Sequence, residues 1–181
     1  SWLSQQDVNV PSIEVVRLGD DFKKVRPSRL QDKKFNDVWK ADKKFLLCVG
    51  TIEARKNHML LYYVYKLAEQ KGINLPNMVI VGRKGWLSED VYEMMTKDPA
   101  TKEKFVFLHN ASDEELSWLY NNCLFSIYTS FYEGWGLPIA ESIAYGVPCL
   151  SSNTSSMPEI AGDLINYFSP SSSDECLAVI Q

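Results

Sequence analysis

The sequence predicts an α/β fold, a doubly wound parallel sheet of about six strands with helices on both faces. Three observations carry this expectation. First, six short runs of apolar, β-branched or aromatic residues recur: "FLLCVG" (45–50), "NMVIVG" (77–82), "KFVFLH" (104–109), "CLFSIY" (123–128), "VPCLSS" (147–152) and "LINYF" (164–168). Second, they are hydrophobic almost continuously rather than in alternation, so each strand is covered on both faces. Third, helical patterns separate them, and strand–helix alternation builds a parallel sheet.

Each helix has its own signals. After Asn57, an expected N-cap, Leu60, Leu61, Val64, Leu67 and Ala68 recur at helical spacing until Gly72. "SDEELSWLYNN" opens with Ser112 and carries Glu115 three residues later, the pattern of a capping box. Pro138 suits the first turn of a helix bearing Ile139, Ala140, Ile143 and Ala144, which Gly146 ends. "LAVIQ" at the end reads as the inside of a helix, and the chain is expected to be an excised piece whose last helix is truncated.

Residues 1–44 differ. "IEVVRLG" reads as one strand, and the charged stretch after it as an interdomain arm that leads into the domain and packs on it. The α/β domain proper is expected over 45–181. Of the 181 residues, 45% are hydrophobic and 23% charged, a balance that excludes a disordered chain. The net charge of −4, with both signs mixed and no basic face, argues against nucleic acid as a partner. Cys48, Cys123, Cys149 and Cys176 are far apart, form no metal-binding pair, and are expected to be buried thiols in a reducing compartment. No apolar stretch approaches the ~20 residues of a transmembrane helix.

Parallel sheets bind ligands beyond the carboxyl ends of their strands. In "VGTIEARKNH" a strand ends at Gly50, and Arg55 and Lys56 stand just before the next helix. Cations at a helix N-terminus oppose its dipole by about 0.3–1 kcal/mol each. The placement makes sense if a diphosphate sits between them, although solvated loop cations would also account for the pair. In "SFYEGWGLPIAESIAYGVP" the glycines Gly134 and Gly136 let a ligand approach the backbone, and the helix from Leu137 or Pro138 offers free N–H groups. Glu141 is expected in the first helical turn, where its two oxygens can take a vicinal diol such as that of ribose. Glu133 approaches from the preceding loop. The bland alternative makes both ordinary surface acids.

Three further turns share the rim. His109 and Asn110 close a strand before the capped helix, where a flat base can rest; a structural histidine is the alternative, and His58 is a weaker candidate. "IVGRKGWL" is a second basic turn, with Gly82, Arg83, Lys84, Gly85 and Trp86. The hydroxyls of "SSNTSSMPEIAGD" can touch phosphate, or serve turns and caps. No G-x-G-x-x-G follows the first strand, and neither a P-loop nor a G-x-S-x-G elbow is present. The one adjacent aspartate pair, Asp20-Asp21, lies in the arm, and no metal site is expected.

Taken in order, "VGTIEARKN", "IVGRKGWL", "SDEELSWLY", "SFYEGWGLPIAESIAYGVPCLSSNTSSMPEIAGD" and "YFSP" resemble glycosyltransferase family 4, retaining enzymes of the GT-B fold. "EGWGLPIAE" is similar to that family's E-x7-E signature, and "VVRLGDDF" to the segment entering its second domain. The resemblance implies a Rossmann-like, donor-binding C-terminal half whose N-terminal acceptor domain is absent. It implies that Arg55 and Lys56 hold the donor diphosphate, that Glu141 holds the ribose, that Glu133 touches the transferred sugar, and that the segment around His109 borders the base. Gly50, Gly82, Gly136 and Leu137 would line the same site. Many members carry Gly-Arg at the end of the first strand; here it is Gly50-Thr51, which leaves Arg55 as the phosphate arginine. The pattern is closest to mannosyltransferase-like members of polysaccharide assembly. It favours guanosine-diphosphate mannose as donor, a glycan or lipid-linked sugar as acceptor, and chemistry without a cofactor or metal. A cytoplasmic enzyme, with peripheral attachment to the inner face of the membrane left open, is implied as well. A GT-B-fold nucleotide-sugar epimerase and a non-catalytic scaffold of polysaccharide assembly are the rivals.

Overall fold

A computed structural model describes residues 44–181 together with Glu14. The expected strand "IEVVRLG" and the packing of the arm lie outside the described residues. Six strands form one parallel sheet: β1 (Phe45–Val49), β2 (Asn77–Val81), β3 (Phe105–Leu108), β4 (Phe125–Tyr128), β5 (Cys149–Ser152) and β6 (Asn166–Phe168). Their order is β3-β2-β1-β4-β5-β6, and every pairing is parallel. Each expected run supplies one strand. The order reverses between β1 and β4, and at such a reversal the connecting helices leave in opposite directions and open a crevice.

Six helices are described: α1 (His58–Gln70), α2 (Glu89–Lys97), α3 (Asp113–Asn122), α4 (Leu137–Tyr145), α5 (Met157–Ala161) and α6 (Ser173–Ile180). They cover both faces, and the two-residue period of the strands decides which side chain meets which helix. Leu46, Cys48, Met78 and Ile80 turn to a core shared with Leu61 and Val64 of α1, Met95 of α2 and Leu177 of α6. Their neighbours Phe45, Leu47, Val79 and Val81 turn to the opposite face, against Leu119 and Tyr120 of α3. A third cluster joins Tyr128 and Cys149 to Ile139 of α4 and Met157 of α5. Cys48, Cys149 and Cys176 are buried and Cys123 partly so, all as free thiols.

The ends of these helices follow local chemistry. At α3 both bonds of the capping box form, Glu115 N–H to Ser112 Oγ at 3.2 Å and Ser112 N–H to Glu115 Oε2 at 2.8 Å. At the end of α1, Gly72 takes a left-handed turn and Ile73 N–H reaches Ala68 O at 2.8 Å; Gly146 and Val147 close α4 in the same way. Two departures from the sequence reading stand out. Helix α2 is not assigned from sequence, although Val91 and Met95 bury one face of it at a four-residue spacing. Asn57 precedes α1 but makes no capping bond; it sits in the left-handed region with φ 54° and uses its side chain elsewhere.

The strand ends are packed without slack. A Cβ built on Gly82, just after β2, would lie 2.0 Å from the carbonyl oxygen of Gly50, just after β1. That neighbour is backbone and cannot swing aside, so Gly82→Ala forces the two strand ends apart. The expected cost is about 3 kcal/mol, at the upper end of overpacking penalties. Gly72→Ala meets open space and carries only the strain of its φ of 69°, an expected ~1 kcal/mol. Urea unfolding of the two variants beside the parent measures both, and the ranking should be unambiguous.

Candidate functional site

A cleft of about 440 Å³ opens at the carboxyl ends of β1 and β4, the point where strand order reverses. Its walls include Gly50, Arg55, Lys56, Tyr128, Glu133, Trp135, Gly136, Leu137 and Glu141. Seven of the sequence-derived candidates therefore meet in one place: Gly50, Arg55, Lys56, Glu133, Gly136, Leu137 and Glu141. Gly82 and His109 do not line it. They stand at the adjacent ends of β2 and β3, where His109 Nδ1 lies 3.0 Å from Gly82 O. In the second basic turn, Lys84 covers the ring of Tyr92, with Nζ 3.4 Å from its centroid. Two smaller hollows, of about 210 and 320 Å³, lie at the other end of the sheet around Leu75 and Lys104, far from any candidate.

Arg55 and Lys56 occupy a short 3-10 turn, Ala54–Lys56, ahead of α1. Three hydrogen bonds fasten this turn and the adjoining Asn57 to the segment after β4, and a fourth to the segment after β6. Phe131 N–H donates to Arg55 O at 2.9 Å, and Thr129 Oγ1 to Lys56 O at 2.8 Å. Asn57 Nδ2 donates to Thr129 O at 3.2 Å and to Pro170 O at 2.9 Å. This explains the missing cap: the amide of Asn57 is spent as a buried cross-link, and asparagine tolerates the left-handed backbone there better than most residues.

The two cations thereby face one carboxylate. Arg55 Nη1 pairs with Glu133 Oε2, and Lys56 Nζ lies 2.8 Å from Glu133 Oε1. Ser130 Oγ donates to the same Oε1 at 2.8 Å. Arg55 is held from its other side by Glu53, at 2.6 Å, and by the carbonyl of Tyr132, at 3.1 Å. Lys56 donates to Tyr128 Oη at 2.7 Å and lies over that ring. The side chains of Lys56 and Glu133 are only 12% and 9% exposed, whereas Arg55 is 44% exposed and reaches open space. Burial opposes the charge on Glu133, but the bonds from Lys56, Ser130 and Arg55 together outweigh it and hold its carboxyl below the usual value. Buried His58, near Lys56, has no hydrogen-bond partner for either ring nitrogen among the described residues; burial and then the charge of Lys56 push it down to about 4.

The loop that carries Glu133 is fixed by hydroxyls from the end of the neighbouring strand β5 and the turn that follows it. Ser155 Oγ and Ser156 Oγ donate to Glu133 O at 2.6 and 2.9 Å, and Ser156 Oγ also to Trp135 O at 2.7 Å. Ser152 Oγ donates to Ser130 O at 2.6 Å, and Thr154 Oγ1 to Phe131 O at 3.0 Å. The serine-rich segment is thus a staple for this loop, a role absent from the sequence reading. Gly136 has φ 132°, and a Cβ there would meet Ile160 Cδ1 at 2.8 Å, so its bareness serves the turn and the core packing as well as the cleft.

Glu141 differs from expectation in position. Helix α4 begins at Leu137 with Pro138 in its opening turn and no acid there, so Glu141 opens the second turn and gains less from the dipole than a first-turn acid would. Its carboxylate is held instead by Tyr120 of α3, whose hydroxyl donates to Oε2 at 2.8 Å. Glu53, Ser130, Tyr120 and Tyr128 are the members of this constellation that sequence reasoning missed. None carries a local signal, because each acts on a partner brought close only by folding.

Two acid-sensitive groups give a signature in stability. A histidine whose folded pKa is depressed costs stability as pH falls from its ordinary 6.5 toward about 4. A depressed carboxylate contributes stability that is present above the ordinary 4.5 and is lost as pH falls through its lower folded value. Denaturant midpoints from pH 7 to 3 should therefore fall in two stages. His58→Gln is expected to flatten the first, and Glu133→Gln to lessen the second, to which Asp98, held low by Lys66 and Tyr62, also contributes.

Comparison with known proteins identifies the family and the fold. Residues 31–179 match the family model described as glycosyl transferases group 1, a match that begins within the segment read as an arm. O-antigen chain mannosyltransferase B of Escherichia coli is 34% identical over 131 residues, covering 72% of this chain and 33% of that protein. The chain thus spans about a third of the length of that relative. Sucrose-phosphate synthase from Thermosynechococcus elongatus superposes with a TM-score of 0.72 at 19% identity, over 99% of this chain and 45% of that one. Anabaena HepE, solved in complex with UDP and glucose, gives 0.67 at 18% identity, over 82% and 40%. These likenesses confirm the GT-B-like fold, and with the family match over most of its length the chain belongs to the group 1 glycosyltransferases.

Proposed function

We propose that the cleft binds the diphosphate and ribose of a nucleotide sugar, and that the chain is the donor-binding part of a retaining hexosyltransferase, with mannose the favoured sugar. One observation carries the reading: two cations, a helix N-terminus and two carboxylates share one open groove at the switch point. Relatives that are O-antigen mannosyltransferases support the choice of sugar and of a polysaccharide or lipid-linked acceptor. HepE, which shares the fold, was crystallised with UDP, and a nucleotide ligand is in keeping with that.

In this reading Arg55 and Lys56 take the diphosphate, and Glu141 takes the ribose hydroxyls. The base extends toward Gly82 and His109 at the neighbouring strand ends. Glu133 meets the sugar. As the bond from the sugar to the diphosphate breaks, negative charge grows on the leaving phosphate. Once the diphosphate has displaced Glu133 from them, Arg55 and Lys56, with the amide dipoles near Gly136 and Leu137, face that charge and lower the barrier electrostatically. The positive charge developing on the sugar lies beside Glu133. No step calls on a metal. The chain spans about a third of the length of its mannosyltransferase relative, and by itself it is expected to bind nucleotide weakly and transfer little.

In the unliganded protein Glu133 neutralises both cations, so an incoming diphosphate must take its place. Calorimetric titration with GDP, UDP and ADP tests the assignment and ranks the bases. Arg55→Ala and Glu141→Ala should each weaken binding about tenfold or more, the usual loss for a charge-assisted contact. Unchanged affinity in both would reject the site. Glu133→Gln frees the cations, so it is expected to bind a nucleoside diphosphate several-fold tighter while abolishing transfer from the sugar nucleotide. A weaker diphosphate complex in that variant would argue against the exchange.

A further inference from the structure

Glu141 reaches the cleft from the second turn of α4, where the helix dipole does little to orient it. A glutamate side chain has three rotatable bonds, and a partly exposed one samples several rotamers. This one is tied down. Tyr120 Oη lies 2.8 Å from Glu141 Oε2, and Tyr120 is itself only 1% exposed. Its ring stacks on Tyr145 of α4, with centroids 5.0 Å apart and planes 10° from parallel. The stack fixes the phenol with respect to the same helix that carries Glu141. A buried phenol resists ionisation, so it remains a donor, and the carboxylate oxygen facing it is the acceptor.

We propose that Tyr120 is a positioning residue of this site: its hydroxyl anchors Glu141 Oε2 and leaves the other oxygen turned to the cleft to grip a ribose diol. The inference rests on the assignment of Glu141 to the ribose made above, and adds what that assignment lacks, the reason a flexible acid in a second helical turn presents one fixed edge. The anchor also acts on protonation. Burial raises the Glu141 carboxyl, the Tyr120 hydrogen bond opposes that rise, and Asp113 at the start of α3 adds to it. Arg55 and Lys56 face the same cleft from the turn before α1. Loss of the phenol hydroxyl therefore shifts Glu141 toward its neutral form, which grips a diol poorly.

The test compares GDP and UDP with their 2′,3′-dideoxy counterparts on the full-length protein, for the parent and Tyr120→Phe. The parent is expected to prefer the ribose form about tenfold, the usual scale for hydrogen bonds to a charged group. Tyr120→Phe should bring the preference to about twofold, leave dideoxynucleotide affinity unchanged, and move the acid limb of GDP or UDP binding to higher pH. A merely structural tyrosine would weaken both ligand series alike or lower stability alone. If the parent discriminates and Tyr120→Phe discriminates equally, the positioning role is overturned while the ribose assignment stands. If the parent does not discriminate, both are overturned. Tyr145→Leu keeps the hydroxyl but removes the stacked ring, and serves if Tyr120→Phe fails to fold. It should lose part of the preference, and full retention there also overturns the proposal.

Discussion

The site depends on one cross-link between distant parts of the chain: the turn carrying Arg55 and Lys56 is fastened to the segment after β4 through Asn57, Thr129 and the backbone of Phe131. Parallel strands place their carboxyl ends side by side, but loops beyond those ends are free unless their polar groups are paired. Here the buried amide of Asn57 satisfies two carbonyls that water cannot reach, Thr129 O and Pro170 O. An unpaired buried carbonyl costs of order 1–3 kcal/mol, so the alternatives to this arrangement are disfavoured. The left-handed backbone at residue 57 is tolerated because it directs that amide inward.

Once the turn is fixed, the charges follow. Two cations forced against a low-dielectric wall repel each other and lose hydration. The carboxylate of Glu133 answers both and is itself held by Ser130. Pairs of this kind seldom add much net stability, since desolvation takes back most of the Coulombic gain. What they supply is geometry. The cations stay oriented at the mouth of the cleft in the absence of ligand. Arg55, more exposed than its neighbours, is the member best placed to move toward an anion.

Stiffness on the opposite wall has a different origin. The loop from Ser130 to Trp135 carries glycine and has no regular structure, yet hydroxyls of Ser152, Thr154, Ser155 and Ser156 bind its carbonyls one after another. Short side chains with one rotatable hydroxyl can do this at little entropic cost. The row of hydroxyls at the end of β5 and just beyond it therefore holds a loop that has no regular structure of its own.

All six strands, the capped helix and the glycine stops were legible in the sequence, because continuous hydrophobic runs and the Ser112–Glu115 box are local signals that the fold obeys. So were seven of the groups that meet in the cleft, because strand-to-helix turns of a parallel sheet converge on one rim. What only the tertiary structure decided is which polar atom answers which. Asn57 reads locally as a cap and proves to be a cross-link; Glu141 reads as a first-turn acid and proves to be held by a tyrosine from another helix. Hydrophobic period is written along the chain at short range, whereas a buried hydrogen bond spans 72 residues in one case and 21 in the other, and its partner exists only after the chain has folded.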